Sequence, residues 1–403
     1  MRLLQKGSRG KVLNSRSSSG RVPALLGAFC ALMFFVGFEM GGFQLALRGI
    51  SAEFSMGATG AGLLVAAQYG SIILMPLLFG RMADRAGKKK VMLAFALVFL
   101  AGCLLSALSR GVFAFAAGVF CVGAGYSVCE STGSAALADA SPERGARWVN
   151  LSQGALSLGA VCSPLLTQLG ESALGWSWRA VFTICFFGAL VSLLPLLATR
   201  FPDGIAEPEQ EQKSPRAFMK DPAFALFFCA ILLYVGLENG FGYFTESLFS
   251  LKLGAVSLGA YAISAYWASM ALSRLIFGVL PVSPEKALVV TLGASAALFA
   301  ALALLRAAIP ALAVCALIGF AFGPVWSNLM SLSARRHPGY SGGAMGLMSA
   351  GCGLGGAVFP ALMGLVSDSI DLSAAFLLLA LAALLAAALS LLAARKSKSA
   401  SAI

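Results

Sequence analysis

The sequence predicts an all-α membrane protein of twelve transmembrane helices arranged as two pseudo-symmetric six-helix bundles. Three observations carry that expectation. Of the 403 residues, 59% are hydrophobic and only 11% are charged, where a soluble domain carries about 25% charged residues. The apolar residues come in twelve long runs, each close to the roughly 20 residues that a spanning helix needs. The runs fall six and six about a polar stretch, and short motifs of one half recur in the other. A soluble fold this apolar cannot cover its surface with polar groups, and disorder is excluded by the same composition. The runs are continuous and rich in Ala, Leu and Gly, which excludes the period-2 alternation of a membrane β-barrel.

Taken in order, residues 1–22 form a basic tail, and the first apolar run covers 24–47. A basic tail leading into an apolar run resembles a secretory signal. This run is too long for a signal core and no small-residue cleavage site follows it, so it reads as the first span. Runs at 57–80, 90–108, 112–138, 148–170 and 176–199 complete an N-terminal bundle over 23–199. The polar stretch 200–221, with Pro202, Pro208, Pro215, Asp203, Glu207, Glu209 and Glu211, reads as a cytoplasmic linker. Runs at 223–249, 257–280, 286–305, 308–333, 340–366 and 372–394 make a C-terminal bundle over 222–394, followed by a tail over 395–403. Both tails, around 15–19 and 397–403, read as disordered. The nine cysteines all fall inside apolar runs and read as small buried hydrophobes rather than a disulfide framework. Trp176 and Trp178, at an outer helix boundary, read as interface anchors.

Basic residues are distributed unevenly among the loops. With the N-terminus inside, twenty-three Lys and Arg fall on the cytoplasmic side, among them Arg81, Arg85, Lys88, Lys89 and Lys90 of one loop. Only Arg48, Arg110, Arg179, Lys252 and Arg306 fall outside. That bias predicts a multi-pass protein of the plasma (cytoplasmic) membrane with both termini cytoplasmic. The net charge of +12 therefore belongs to membrane topology, and no nucleic-acid partner is expected.

The halves repeat each other. Val36-Gly37-Phe38-Glu39-Met40-Gly41-Gly42-Phe43 of the first run corresponds to Val235-Gly236-Leu237-Glu238-Asn239-Gly240-Phe241-Gly242 of the seventh. Leu158-Gly159-Ala160-Val161-Cys162-Ser163-Pro164 of the fifth corresponds to Leu354-Gly355-Gly356-Ala357-Val358-Phe359-Pro360 of the eleventh. A repeated six-helix unit is the signature of a transporter built from two bundles that rock around a central site.

Between the second and third runs stands Gly80-Arg81-Met82-Ala83-Asp84-Arg85-Ala86-Gly87-Lys88-Lys89-Lys90. It resembles the loop motif G-x-x-x-D-[RK]-x-G-[RK]-[RK] of the major facilitator superfamily, at the place that superfamily carries it. Gly80 and Gly87 permit a tight turn and close helix approach, and Asp84 can pair with an arginine or a helix N-terminus. The resemblance implies that Gly80, Asp84, Arg85 and Gly87 lock the cytoplasmic face when the carrier opens outward. Three further patches are similar to the fucose permease-like sugar:proton symporters: Gly123 to Ser131 around Glu130, the Asn150-Leu151-Ser152-Gln153 segment, and Tyr234-Val235-Gly236-Leu237-Glu238. The sequence departs from the pattern of the glucose-transporting members, in which an aromatic residue, often Trp, follows the seventh-run acid; here Phe241, Tyr243 and Phe244 stand further on.

Three glutamates, Glu39, Glu130 and Glu238, lie well inside apolar runs. An acid at a helix centre costs roughly 2.5–3.5 kcal/mol on insertion scales and marks a functional site. Burial disfavours the charged form, which lets such a carboxyl load and release a proton. Glu130 and Glu39 are the expected proton-coupling residues, and the family resemblance favours Glu130. The glycines beside Glu39 and Glu238 allow helix breaks of the kind that form transporter sites. Amides and aromatics fill out the expected substrate site: Glu238, Asn239, Gln153, Asn150, Asn328, Trp326, Gln44, Gln68, Tyr243 and Trp267. Asn328 stands at the repeat counterpart of Glu130. No Lys or Arg lies deep in the first six runs, which argues against an anionic substrate. Arg274, in the eighth run, reads as a gating residue towards the cytoplasmic end.

These residues point to secondary transport by alternating access, with a neutral monosaccharide or related polyol imported with a proton. The alternative is a proton-coupled exporter of drugs or lipophilic cations, although the fifth run lacks the Gly-Pro-x-x-Gly-Gly ending that such antiporters show. An enzyme is not expected. The single histidine, His337, lies in a loop, and no acid/His cluster could hold a catalytic metal. No cofactor is implied, and a monomer is the default for the superfamily.

Overall fold

The computed structural model of the chain describes residues 21–140, 145–199, 201, 215–279, 282–337 and 341–401. The tail before residue 21 and the linker over 202–214 lie outside the described residues. The first half contains α1 (Arg21–Glu53), α2 (Ala58–Ala86), α3 (Lys88–Leu108), α4 (Val112–Ala140), α5 (Gly145–Leu174) and α6 (Arg179–Ala198). A short α7 (Pro215–Met219) precedes the second half. That half contains α8 (Pro222–Ser247), α9 (Leu258–Val279), α10 (Pro284–Leu304), α11 (Ala308–Phe322), α12 (Val325–Arg336), α13 (Ser341–Ser369) and α14 (Leu372–Ser401). The twelve expected spans are all helical. The tenth is divided into α11 and α12 at Gly323-Pro324, and α8 runs on through a π turn over Leu248–Lys252. The C-terminal tail, expected to be disordered, continues α14 as far as Ser401.

Helix ends follow local chemistry. Gly87 adopts φ 97°, a conformation that favours glycine, and so turns the chain between α2 and α3. Asp221 caps α8 by accepting from the Ala223 N–H at 3.0 Å, with Pro222 in the first turn. Pro284 likewise opens α10. Ten of these helical stretches are long and apolar enough to cross a membrane on composition alone. The long helices α5 and α9 are not among them. They pack on each other across the two halves: Ser264 of α9 donates to the Val161 carbonyl of α5 at 2.9 Å.

The sequence repeat has a packing cause. Lipid is as apolar as leucine, so spanning helices associate through close backbone contact at small residues. α1 crosses α5 where a Cβ on Gly159 would stand 1.9 Å from the Phe34 carbonyl oxygen. α8 crosses α13 where a Cβ on Gly355 would stand 1.9 Å from the Leu232 carbonyl oxygen. The repeated glycines thus make the same crossing in each half. Gly37 and Gly41 pack on the Leu156 and Ala160 backbone of α5 in the same seam. The helix breaks expected beside Glu39 and Glu238 are absent: α1 and α8 run unbroken past both acids, because these glycines are used for contact rather than for unwinding.

One end of the molecule carries Lys88, Lys89 and Lys90 with Arg335 and Arg336, and is called the basic end; the other carries the α1–α2, α5–α6 and α13–α14 turns. At this far end the two halves are in contact. Asp368 at the end of α13 accepts from the first N–H groups of α2, Ala58 at 3.0 Å and Thr59 at 2.7 Å. Gly62 and Gly364 bring the same helices to backbone contact. Gln168 of α5 donates to the Ser257 carbonyl beside α9 at 2.8 Å. Trp178 is not an interface anchor. It is 5% exposed, donates to Glu53 at 2.8 Å and lies under the Arg179 guanidinium.

At the basic end, Lys89 donates to the Leu197 and Thr199 carbonyls that end α6. Asp221 receives the Arg336 guanidinium on both oxygens, at 2.5 and 3.0 Å, and so ties α8 to α12. His337 lies beside it, packed edge-on against Phe218 and Phe224. Partial burial pushes the Asp221 carboxyl up, but Arg336 and the backbone N–H groups of Ala223 and Phe224 together hold it below the usual carboxylate range.

Two measurements test this architecture. Gly159→Ala and Gly355→Ala each force backbone apart and are expected to cost about 2–3 kcal/mol, seen as a lower melting temperature in detergent. Gly293→Ala, where a Cβ meets nothing within 4 Å, should leave it unchanged or raise it. Asp221→Asn keeps a good N-cap but removes the charge paired with Arg336, and should lower the melting temperature at pH 6–8 by the equivalent of about 1 kcal/mol. A depressed carboxyl stabilises above its unfolded value of about 4 and loses that effect as pH falls through its folded value. The gap between Asp221→Asn and wild type must therefore close at acid pH; a gap that persists there would exclude the ion pair as its cause.

Candidate functional site

Glu39, Gln44, Gln68, Asn239, Tyr243 and Trp267, six of the expected site residues, come together where the two halves meet at mid-span. α1 supplies Glu39, which is 1% exposed. The Gln68 amide of α2 donates to both its oxygens, at 3.1 and 3.2 Å. The amide oxygen of the same Gln68 accepts from the Tyr243 hydroxyl of α8 at 3.1 Å. A carboxyl of the first half is thereby linked through one amide to a phenol of the second. Next to this chain, Tyr69 donates to the Asn239 side-chain oxygen, and the Asn239 amide donates to the Val235 carbonyl at 2.9 Å. A third crossing joins Trp267 of α9 to Gln44 of α1 at 3.0 Å. Gln44, Gln68, Asn239, Tyr243 and Trp267 are all buried. Phe43 meets the Tyr243 ring edge-on with centroids 5.2 Å apart, so an aromatic layer covers the network on its far side.

Glu130 occupies a second, more open position. It is half-buried on α4, and the Gln153 amide of α5 donates to it at 2.7 Å. Tyr126, one turn earlier on α4, is within hydrogen-bonding reach of the same carboxyl. Gln153 is held in turn by its own helix: Ser157, one turn on, donates to the Gln153 carbonyl at 3.0 Å. Arg274 of α9 reaches across from the other half and donates to the Ser157 hydroxyl at 3.4 Å. The same guanidinium acts electrostatically on Glu238, which is half-buried and partnered by Tyr234. Arg274 is therefore turned into the interface between the halves and not towards lipid.

The other expected residues are placed as follows. Trp326, 39% exposed, partners Cys352 of α13. Asn328 is half-buried on α12 and makes no side-chain hydrogen bond among the described residues. Asn150 lies on α5 and Gly80, Asp84 and Arg85 on α2, but their side chains are outside the described residues. Among those described, no group of three His, Cys, Asp or Glu could hold a metal ion.

Sequence reasoning missed four contributors. Tyr69 follows Gln68 directly, yet on a helix their side chains diverge, and only the packing of α2 on α13, beside α8, brings Tyr69 to Asn239. Tyr126 sits one turn before Glu130, a spacing that could have flagged it. Glu246 stands two turns after Glu238 in the same apolar stretch, and Arg48 lies at the far end of α1. The two form an ion pair between the halves at 3.2 Å.

The fold is shared with solved transporters. A bacterial homologue of the human lysosomal transporter Spinster, in an inward-facing and unoccupied conformation, superposes with a TM-score of 0.76 at 16% identity, over 94% of this chain and 98% of that one. The nucleoside transporter NupG gives 0.76 at 14% identity, over 92% and 99%. The fucose:proton symporter FucP of E. coli gives 0.67 at 18% identity, over 93% and 99%. Among curated sequences, the multidrug resistance protein MdtL of Klebsiella pneumoniae (strain 342) is 31% identical over 135 residues, 33% of this chain and 34% of that protein. MdtL of Salmonella schwarzengrund (strain CVM19633) is 31% identical over 145 residues, 35% and 36%. The matched stretch thus spans about a third of the length of those relatives. The family model described as Major Facilitator Superfamily matches residues 27–348. A chain of twelve spans in two halves, matched over that length and built around polar groups buried at mid-span, is a multi-pass membrane transporter and belongs to the Major Facilitator Superfamily.

Proposed function

We propose that this protein is a proton-coupled secondary transporter that imports a neutral polyhydroxylated solute of monosaccharide size by alternating access. One observation carries the reading. Each mid-span carboxyl is already matched by a neutralising or hydrogen-bonding group: Glu39 by Gln68, Glu130 by Gln153, and Glu238 by Tyr234 and the nearby Arg274. Such a site offers amide, carboxyl and phenol edges to hydroxyl groups. Arg274 beside Glu238 offsets the negative field that a cation would need, and one partnered guanidinium is a poor receptor for an anion.

In this reading the basic end faces the cytoplasm of a bacterial inner membrane. The contacts between Asp368 and α2, and between Gln168 and the start of α9, close the outer side, so the conformation is inward-facing. Glu130, half-exposed between α4 and α5, carries the proton, and Glu39 shares the role through Gln68. Glu238, Asn239, Gln153, Asn150 and Asn328 bind hydroxyls, and Trp326, Tyr243, Trp267, Gln44 and Gln68 line the site. When Glu130 loses its proton to the cytoplasm, its charge draws the Gln153 amide to itself, and the amide is withdrawn from the substrate. Gly80, Asp84, Arg85 and Gly87, with Arg274, close the cytoplasmic side in the opposite state.

A second reading, export of drugs or lipophilic cations in exchange for protons, draws on the partial similarity to MdtL. The two separate in proteoliposomes. With an inside-alkaline gradient, one member of a labelled monosaccharide and polyol panel should accumulate. Glu130→Gln should reduce that accumulation at least tenfold while exchange of the same solute persists. If no neutral solute moves and a cationic dye exchanges for protons, export replaces import. Arg274→Gln gives an independent check. It should weaken binding of a neutral solute, whereas a cation site would bind its ligand more tightly once the positive charge is gone.

A further inference from the structure

We propose that Glu246, paired with Arg48, is a second proton-binding site, separate from the central carboxyls, and that it locks the far side of the carrier while ionised. The proposal rests on the alternating-access reading but not on any substrate. Glu246 ends α8 and is 4% exposed. A carboxylate so buried needs a cation or a proton. Its cation comes from the other half: Arg48 Nη1 of α1 stands 3.2 Å from Glu246 Oε1. The two ends of the pair differ in access. The Arg48 side chain is 40% exposed and lines a cavity of about 560 Å³ at the far end, with Tyr243, Ser247, Lys252 and Asp371.

The surroundings leave Arg48 without a substitute. From its own element, Ser250 donates to Glu246 Oε2 at 3.4 Å. Lys252 is turned away, its ammonium given to the Leu302 and Ala303 carbonyls at 3.2 and 2.6 Å. From α5 comes Glu171, a second carboxyl that acts on both Arg48 and Glu246. From α9 comes Gly259, where an added Cβ would stand 3.3 Å from Glu246 Cγ. The π turn that follows Glu246 is the kind of local irregularity that recurs at functional sites.

Opening the far side moves α1 away from α8 and takes Arg48 with it. Glu246 is then a buried carboxylate beside Glu171 and without a cation. It accepts a proton on Oε1 from water entering the widened cavity. Closure brings Arg48 back, and the same proton returns to that water. One proton is bound per opening, and acid on the far side favours the open state.

Hydrogen–deuterium exchange of the full-length protein in nanodiscs, followed by mass spectrometry from pH 5 to pH 8, tests this with no ligand. At pH 8, Glu246→Gln should exchange at least threefold faster than wild type in peptides covering 45–62 and 244–260. Peptides at the basic end of α4, α5 and α12 should slow at the same time. The difference from wild type should vanish at pH 5. Arg48→Gln should behave as Glu246→Gln does, and the double variant should add nothing. An unchanged variant, or a difference that is the same at every pH, overturns the proposal. Faster far-end exchange with no slowing at the basic end also overturns it, since that is local fraying. If no condition shifts exchange at either end in any variant, the alternating-access reading itself has failed.

Discussion

Helices in a bilayer gain nothing by hiding apolar side chains from one another, so everything else in this protein depends on backbone contact at glycine. α1 on α5 and α8 on α13 are brought together at Gly159 and Gly355, each facing a carbonyl oxygen of the crossing helix. That contact fixes how far Glu39 and Glu238, on α1 and α8, stand from the centre. It also fixes their direction, because a helix pinned on one face can turn only the opposite faces inward. Gly159 and Gly355 thus set the site's geometry without touching it, while Gly123, Gly242 and Gly356 pack directly on Gln68, Gln44 and Tyr69.

Once the crossings are set, the cost of polar groups in an apolar medium decides the rest. Each buried donor or acceptor must find a partner, and the nearest partner is often in the other half. Gln68 joins Glu39 to Tyr243, Tyr69 joins Asn239, and Trp267 joins Gln44. A transporter has to break such contacts in every cycle, so they must be individually modest. Neutral hydrogen bonds worth about 1 kcal/mol each meet that requirement, whereas a row of buried ion pairs between the halves would hold one state too firmly.

Much of this was legible in the sequence because lipid imposes simple rules. Run length gave twelve spans, and the repeated Glu39 and Glu238 segments gave two halves. The conclusion that these glycines unwind their helices failed for a definite reason. A glycine beside an intramembrane acid serves either to expose backbone or to admit another backbone, and composition does not distinguish the two. Only the identity of the crossing helix does, and that is a tertiary fact. The break lies instead at Gly323-Pro324, where proline has no N–H to continue the helical ladder, while Gly323 itself keeps helical dihedrals. Tyr69, Arg48 and Glu246 were missed for a related reason. Each matters through a partner more than 150 positions away, and no local pattern marks such a pair.

The repeat is close in its crossings and inexact in its chemistry, and in the proposed reading that difference allows a direction of transport. Glu39 and Glu238 occupy equivalent places on α1 and α8, yet Glu39 is sealed and held by a neutral amide while Glu238 is half-open and lies within the field of Arg274. Glu130 on α4 has Asn328 as its counterpart, an amide in place of an acid. A fully symmetric pair of halves would offer the same groups to both sides of the membrane, and proton binding would bias neither state. In the proposed reading Glu130 titrates on the first half while Arg274 stands on the second, so its protonation changes the attraction between the halves. In the proton-coupled reading proposed above, this charge asymmetry, laid over a symmetric scaffold, converts a proton gradient into a preference for one conformation.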